Sequence, residues 1–290
     1  MWDEEVDVVC CGSGFGALAA AVAAADAGLD VYIAGQGSAT TGSVIPGPEA
    51  PWLGSGIADP DTRDYLDALS ADLKPVTDAE YDSGLTVRPV SDWTPVSGRG
   101  RIAPFYGARL QEWAQDCLTS PYGVLYTRLA DRGTTSMKTR AGEEIQVKVL
   151  GTLDADNAAG TAAVVGDWLS AQVLDRQIQA LDNSTLQRLV FEEGEILGVV
   201  LDTADGPLAL RARHGVALST EPRVAGPAAD GRLIEPGKPL QVGLVGYSAS
   251  RFGRVELLDH QPDTTRSDYC RSGGVQDAPR ESYRSRARRG

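Results

Sequence analysis

Asp7-Val8-Val9-Cys10-Cys11-Gly12-Ser13-Gly14-Phe15-Gly16-Ala17-Leu18 is the stretch of this chain that decides its fold. A short apolar run ends in glycines, and an alanine-rich segment follows at once. Val6 to Cys11 reads as a buried strand. Gly12 permits a tight turn, Gly14 lets a ligand approach the backbone with no Cβ in the way, and Ala17 stands third, where a small residue lets helix and strand pack closely. Ser13 is a spacer between turn glycines, and Phe15 and Gly16 open the helix. That helix, through Ala27, is built from the strongest helix formers. Gly28 sits where a closing glycine belongs, and Leu29 to Ala34 supplies a second strand. Strand, glycine turn, helix and strand in this order predict a dinucleotide-binding βαβ unit, with phosphates at the positive end of the helix. Gly12, Ser13, Gly14, Phe15, Gly16 and Ala17 are its candidate cofactor-binding residues.

An acidic residue about 20 positions beyond the glycines normally holds the adenosine ribose in such a unit. Here that place reads Ala34-Gly35-Gln36, with no carboxylate. These three are the candidate adenosine contacts, and Gln36 offers one hydrogen bond where a carboxylate would give a stronger, charge-assisted one. No basic residue in Val31–Gln36 argues for a 2′-phosphate.

The opening unit resembles that of the fumarate reductase/succinate dehydrogenase flavoproteins and the 3-ketosteroid Δ1-dehydrogenases. A second stretch, Asp167 to Ala180 followed by Leu186 to Leu201 and Arg213 to Ser219, is similar to the helix, hairpin and last strand of that superfamily's FAD-binding domain. The resemblance covers roughly the first 45 residues and 160–220. It implies FAD as cofactor and hydride transfer beside a carbonyl or carboxylate.

The departures bear on the same reading. The family's strand-end Glu is missing after the second strand. Gly37 to Gly47 matches its glycine- and serine-rich segment only in part. Ser219-Thr220-Glu221-Pro222 stands where the family runs into Ala-Thr-Gly-Gly. The late glycine-rich segment is absent and the chain is short for the family, so the resemblance implies a short, degenerate member. The expected fold is α/β: a Rossmann-like FAD/NAD(P)-binding domain with a parallel sheet from residues 1–50 and 160–220, a reduced α+β insertion at 51–159, a segment 221–270 packing on the core, and a basic, flexible tail at 271–290.

A net charge of −13 argues against nucleic acid as a partner. The tail runs the other way, with six arginines against Asp277 and Glu281, and is an arm that an acidic protein partner or a second copy could engage. Cys10 and Cys11 are adjacent in a strand and point to opposite faces, so they share neither a disulfide nor a metal. With only two histidines no metal site is expected. The alanine-rich helix is too short to cross a membrane, and a reducing cytoplasm is the expected compartment.

No catalytic residue can be named. Gly246-Tyr247-Ser248-Ala249-Ser250 begins like a nucleophile elbow but lacks the closing glycine, and reads as a strand end. His214 enters a strand, and His260 falls in an expected loop without a partner. Glu192 and Glu193 read as turn residues. Tyr106, Tyr122 and Tyr126 lie in segments that could face a substrate, but no motif assigns them a role. Two readings follow: an FAD-binding oxidoreductase, alone or as a subunit of a larger enzyme, or a non-catalytic scaffold that keeps the fold without the cofactor.

Overall fold

The computed structural model describes residues 2–12, 14–36, 57–74, 84–92, 107–128, 133–153, 161–219 and 239–260. The chain opens with β1 (Glu4–Cys11), α1 (Phe15–Ala25) and β2 (Val31–Gln36). Leu29 N–H donates to Ala24 O and Gly28 N–H to Ala25 O, the paired bonds that close a helix through a left-handed residue. Gly28 supplies that conformation at φ +77°. Next comes α2 (Pro60–Ser70), where Asp59 caps the start by accepting from Thr62 N–H at 3.0 Å. Then come β3 (Val87–Asp92), α3 (Gly107–Leu118), β4 (Gly123–Tyr126), β5 (Thr135–Thr139) and β6 (Glu144–Leu153). α4 (Thr161–Asp175) and β7 (Gln179–Asp182) lead into the β8 (Thr185–Glu192), β9 (Glu195–Thr203) hairpin. β10 (Gly206–Ser219), β11 (Leu240–Gly246) and β12 (Phe252–His260) end the described chain.

The twelve strands of the described residues belong to one sheet, and it is mixed rather than parallel. Four strands, in the order β7-β2-β1-β10, run parallel. They come from the two segments expected to form the nucleotide unit, and α1 crosses back over them. Beyond β10 the pairing turns antiparallel through β4 to β12. Strands β11, β6, β5, β3 and β12 then pair in sequence, and β12 pairs again with β11, which closes a five-stranded barrel. The expected parallel sheet is therefore corrected: most pairings are antiparallel, because residues 84–153 and 240–260 close on one another rather than extending the parallel order.

The two faces of the sheet bury separate cores. α1 and α4 cover one, with Cys10, Ile33, Ala217, Val255 and Leu257 beneath them. The other holds Cys11, Tyr32, Leu189 and Leu218, and continues into the barrel and under Trp113 of α3. Cys10 and Cys11 thus lie on opposite faces, as alternation requires. Burial pushes both thiols up, Cys11 to about 12.

On the barrel's inward face Glu256 is fully buried between two arginines. Arg88 binds it through Nε and, at 2.8 Å, through Nη2, and Arg254 Nη2 donates to it at 2.8 Å. Both guanidinium groups lie over the Trp113 ring, at 5.8 and 5.3 Å from its centroid. Burial alone would push this carboxyl up, but the hydrogen bonds and charges of Arg88 and Arg254 outweigh it and hold Glu256 below the usual range.

Among the local expectations one changes, that for His260, and the others take a definite place. His260 ends β12 instead of lying in a loop, with Nε2 2.6 Å from Gln241 Oε1. His214 sits inside β10, 3.6 Å from Asp7. Gly246 to Ser250 is the β11–β12 hairpin turn, where Ser250 N–H donates to Tyr247 O at 3.1 Å and Ala249 takes φ +66°. Glu193 and Gly194, at φ +51° and +82°, are the two central residues of the β8–β9 turn. Residues 271–290, most of 38–60, 221–238 and Tyr106 lie outside the described residues.

Candidate cofactor site at the first glycine turn

β1 ends against β10 and β2, and its last residues bring the glycine turn to the carboxyl ends of three parallel strands. Gly12 N–H donates to Ala34 O at 3.0 Å, tying the turn to the end of β2. Gly12 stands at φ +111°, and a Cβ there would lie 2.6 Å from Ser219 Oγ. No other residue type fits this position without moving β10. Gly14 is extended (φ −78°, ψ 160°) and precedes α1, whose first turn carries no acidic residue to compete with an anion. Gly35, at φ +94°, leans on Gly12, with its own would-be Cβ 3.1 Å from Gly12 N. Ala34 is buried at the end of β2. The structure thus brings Gly12, Gly14, Ala34 and Gly35 together at one corner. Ser13 lies outside the described residues.

Gly16, more than Ala17, sets how closely α1 packs. A Cβ on Gly16 would overlap the Gly123 carbonyl at the start of β4. Ala17 is fully buried behind it. Phe15 stacks on Tyr122 at 5.0 Å between ring centroids, and its ring rests on Gly166 of α4. Its side chain therefore packs helix on helix and loop.

The turn has the glycine positions that a pyrophosphate site uses, yet three of its donors already have partners within the chain, the first being Gly12 N–H on Ala34 O. Gly14 N–H donates to the buried Ser219 hydroxyl at 3.1 Å. Phe15 N–H donates to Pro121 O at 3.1 Å. Helix N-termini bind anions through otherwise unpaired N–H groups, so a phosphate at this end of α1 would have to displace the Ser219 hydroxyl and the Pro121 carbonyl. Of the described residues, Gly12, Gly14 and Gly16 could hold it. At the adenosine end Gly35 N–H is likewise engaged, by Ser184 Oγ at 2.9 Å.

Three residues of this corner escape a reading of the sequence. Ser219 is visible only as the serine in place of the family's alanine, and Ser184 carries no signal at all. Asp182 is the third. It ends β7, is exposed, and pairs in register with Gln36 across the parallel β2–β7 ladder. A carboxylate therefore stands one strand away from the place where β2 lacks one. Among the described residues, no group of three or more His, Cys, Asp or Glu side chains is clustered to hold a metal ion, and no helix is long and apolar enough to cross a membrane.

Residues 7–64 match the FAD binding domain family. Among solved structures, the chain is similar to the 3-ketosteroid-Δ4-(5α)-dehydrogenase of Rhodococcus jostii RHA1 at 20% identity and a TM-score of 0.31, over 74% of this chain and 46% of that one. It is similar to the 3-ketosteroid Δ1-dehydrogenase of Sterolibacterium denitrificans at 16% identity and a TM-score of 0.29, over 73% and 47%. A flavocytochrome c3 fumarate reductase matches at 12% identity and a TM-score of 0.30, over 73% and 33%. The chain spans less than half the length of each of these proteins. No curated protein matches the sequence. The match that bears on function is local: residues 7–64, the segment that builds β1, α1 and β2, are similar to the FAD binding domain family, whose ligand is FAD.

Proposed function

We propose that the chain is a flavoprotein of the fumarate reductase/ketosteroid dehydrogenase type, acting as an oxidoreductase or as a subunit of one, with FAD seated along the β1–α1 junction of a Rossmann-like unit. The observation that carries this reading is the glycine turn: Gly12 at φ +111° and an extended Gly14 open directly into α1, within the segment that matches the FAD binding domain family. The pyrophosphate would contact Gly12, Ser13, Gly14 and Gly16, with Phe15 and Ala17 packing behind them. The adenosine would lie near Ala34, Gly35 and Gln36, and Asp182 supplies the ribose carboxylate that β2 lacks. A bound flavin supplies hydride-transfer chemistry, while the chain supplies binding and orientation. A reducing compartment is consistent with Cys10, Cys11 and Cys117, all buried as free thiols.

One specific observation favours the second reading, a scaffold without cofactor: the Gly14 and Phe15 donors are held by Ser219 and Pro121. A titration of FAD into the purified chain, followed by quenching of flavin fluorescence, separates the two. The flavoprotein reading expects saturable binding, weakened at least tenfold by Gly14→Val, whose backbone angles suit a β-branched residue, and weakened severalfold by Asp182→Asn at unchanged Tm. Absence of saturable binding by the unaltered chain selects the scaffold.

A further inference from the structure

At the opposite end of α1 from the glycine turn, a cavity of about 470 Å³ opens between the helix, the parallel strands and the barrel. Its size falls within the range of small-molecule sites, roughly 300–1,000 Å³. One wall is the inner side of α1, where Ala20, Ala23, Ala24 and Ala27 project only methyl groups and leave the space open. Val8, Val216 and Leu244 make the floor. The strand alternation explains the far wall. Ile145 and Val147 of β6 point into the barrel and are buried there, so Gln146 and Lys148 face outward into the cavity.

The charge of the lining is one-sided. Among the described residues it contains Arg128, Lys148 and His214 and no carboxylate, in a chain whose net charge is −13. Arg128 pairs with Glu195 outside the cavity, and His214 lies 3.6 Å from Asp7. Lys148 differs. It is half-buried, and no carboxylate among the described residues comes within 4.0 Å of it to form an ion pair. A half-buried ammonium beside apolar walls, with no counter-charge from the described residues, fits an anion supplied by a ligand.

We propose that this cavity binds a monocarboxylate with an apolar body, its headgroup on Lys148 with Arg128 beside it, and its tail along the alanines of α1. The helix sets this direction. The last turn of α1 carries partial negative charge, which repels a carboxylate and leaves that wall to the hydrocarbon. The same polarity separates this site from the glycine turn, whose end of the helix attracts phosphate. An occupant of about a dozen non-hydrogen atoms suits the volume. The site is independent of FAD.

Decanoate, with decanol as its uncharged counterpart, tests this by calorimetric titration of the full chain, below the micelle concentration of decanoate and the solubility limit of decanol. Decanoate is expected to bind roughly tenfold more tightly than decanol, the difference that one charge-assisted contact supplies. Lys148→Met removes that preference and Lys148→Arg keeps it, while Ala24→Leu fills the wall and abolishes binding of both probes. FAD affinity stays the same in all three variants, so failure here is distinct from failure at the glycine turn. Equal affinity for the two probes, an unchanged decanoate affinity in Lys148→Met, or no binding by the unaltered chain overturns the assignment.

Discussion

The parallel strands with α1 and the closed barrel bury their residues by opposite means. Around α1 the chain uses residues that have almost no side chain: Gly12 under Ser219, Gly16 under the Gly123 carbonyl, and a helix of alanines. Backbone meets backbone, and what the region offers a ligand is N–H groups. The barrel instead encloses full side chains, including Glu256 with Arg88 and Arg254 against Trp113. The first arrangement tolerates no added atom at Gly12 or Gly16, and the second tolerates no lost charge.

The sharpest way to break this contrast is to add atoms to the first region. Gly16→Val puts three carbons where the Gly123 carbonyl stands, on rigid backbone at both sides, and is expected to cost more than about 4 kcal/mol. Urea denaturation would show a chain already unfolded or nearly so. A stable Gly16→Val protein would mean that α1 is free to shift away from β4.

In the barrel the expected effect is of similar kind but comes from a lost partner. Glu256→Gln leaves two buried guanidinium groups without their anion and should cost about 3–5 kcal/mol. Acid should do the same reversibly. The Glu256 carboxyl is held below its ordinary value of 4.5 in the folded chain, so its contribution is complete above that pH and is lost as pH falls toward the lowered value. The unaltered chain should therefore lose stability below about pH 4.5 more steeply than Glu256→Gln does.

Ser219→Ala gives a smaller and more telling effect. It removes the acceptor of Gly14 N–H, and stability should fall by about 1 kcal/mol. If FAD and Ser219 compete for that donor, FAD affinity rises as stability falls. Affinity and stability falling together would mean that the hydroxyl supports the cofactor-binding turn. Smallest of all is Ala24→Leu, beside an open cavity, whose Tm should change by no more than a few degrees at most.

The same contrast explains what a sequence reader can see. β1, α1 and β2 are legible because glycine and alanine positions are themselves the signal and lie within 33 residues. α3, with Trp113 and Cys117 on its buried face, is equally local and equally legible. The barrel is not. β5 reads Thr-Ser-Met-Lys-Thr, which suggests loop, and β12 carries Arg254, Glu256 and Asp259 among its apolar residues. Arg254 and Glu256 face inward because β3 brings Arg88 to Glu256 from 168 positions away. At the candidate site the glycines were legible, whereas their partners were not. Ser219 meets Gly14 across 205 positions, and Asp182 meets Gln36 only through strand pairing that no periodicity announces.

The most direct test of the central claim is the visible absorption spectrum of the natively purified chain, with mass spectrometry of whatever small molecule it releases. A flavoprotein shows the two visible bands of bound flavin and releases a molecule with the mass of FAD. A colourless chain that also fails to take up added FAD contradicts the account, and would mean that Ser219 and Pro121 have permanently replaced the phosphates at the start of α1.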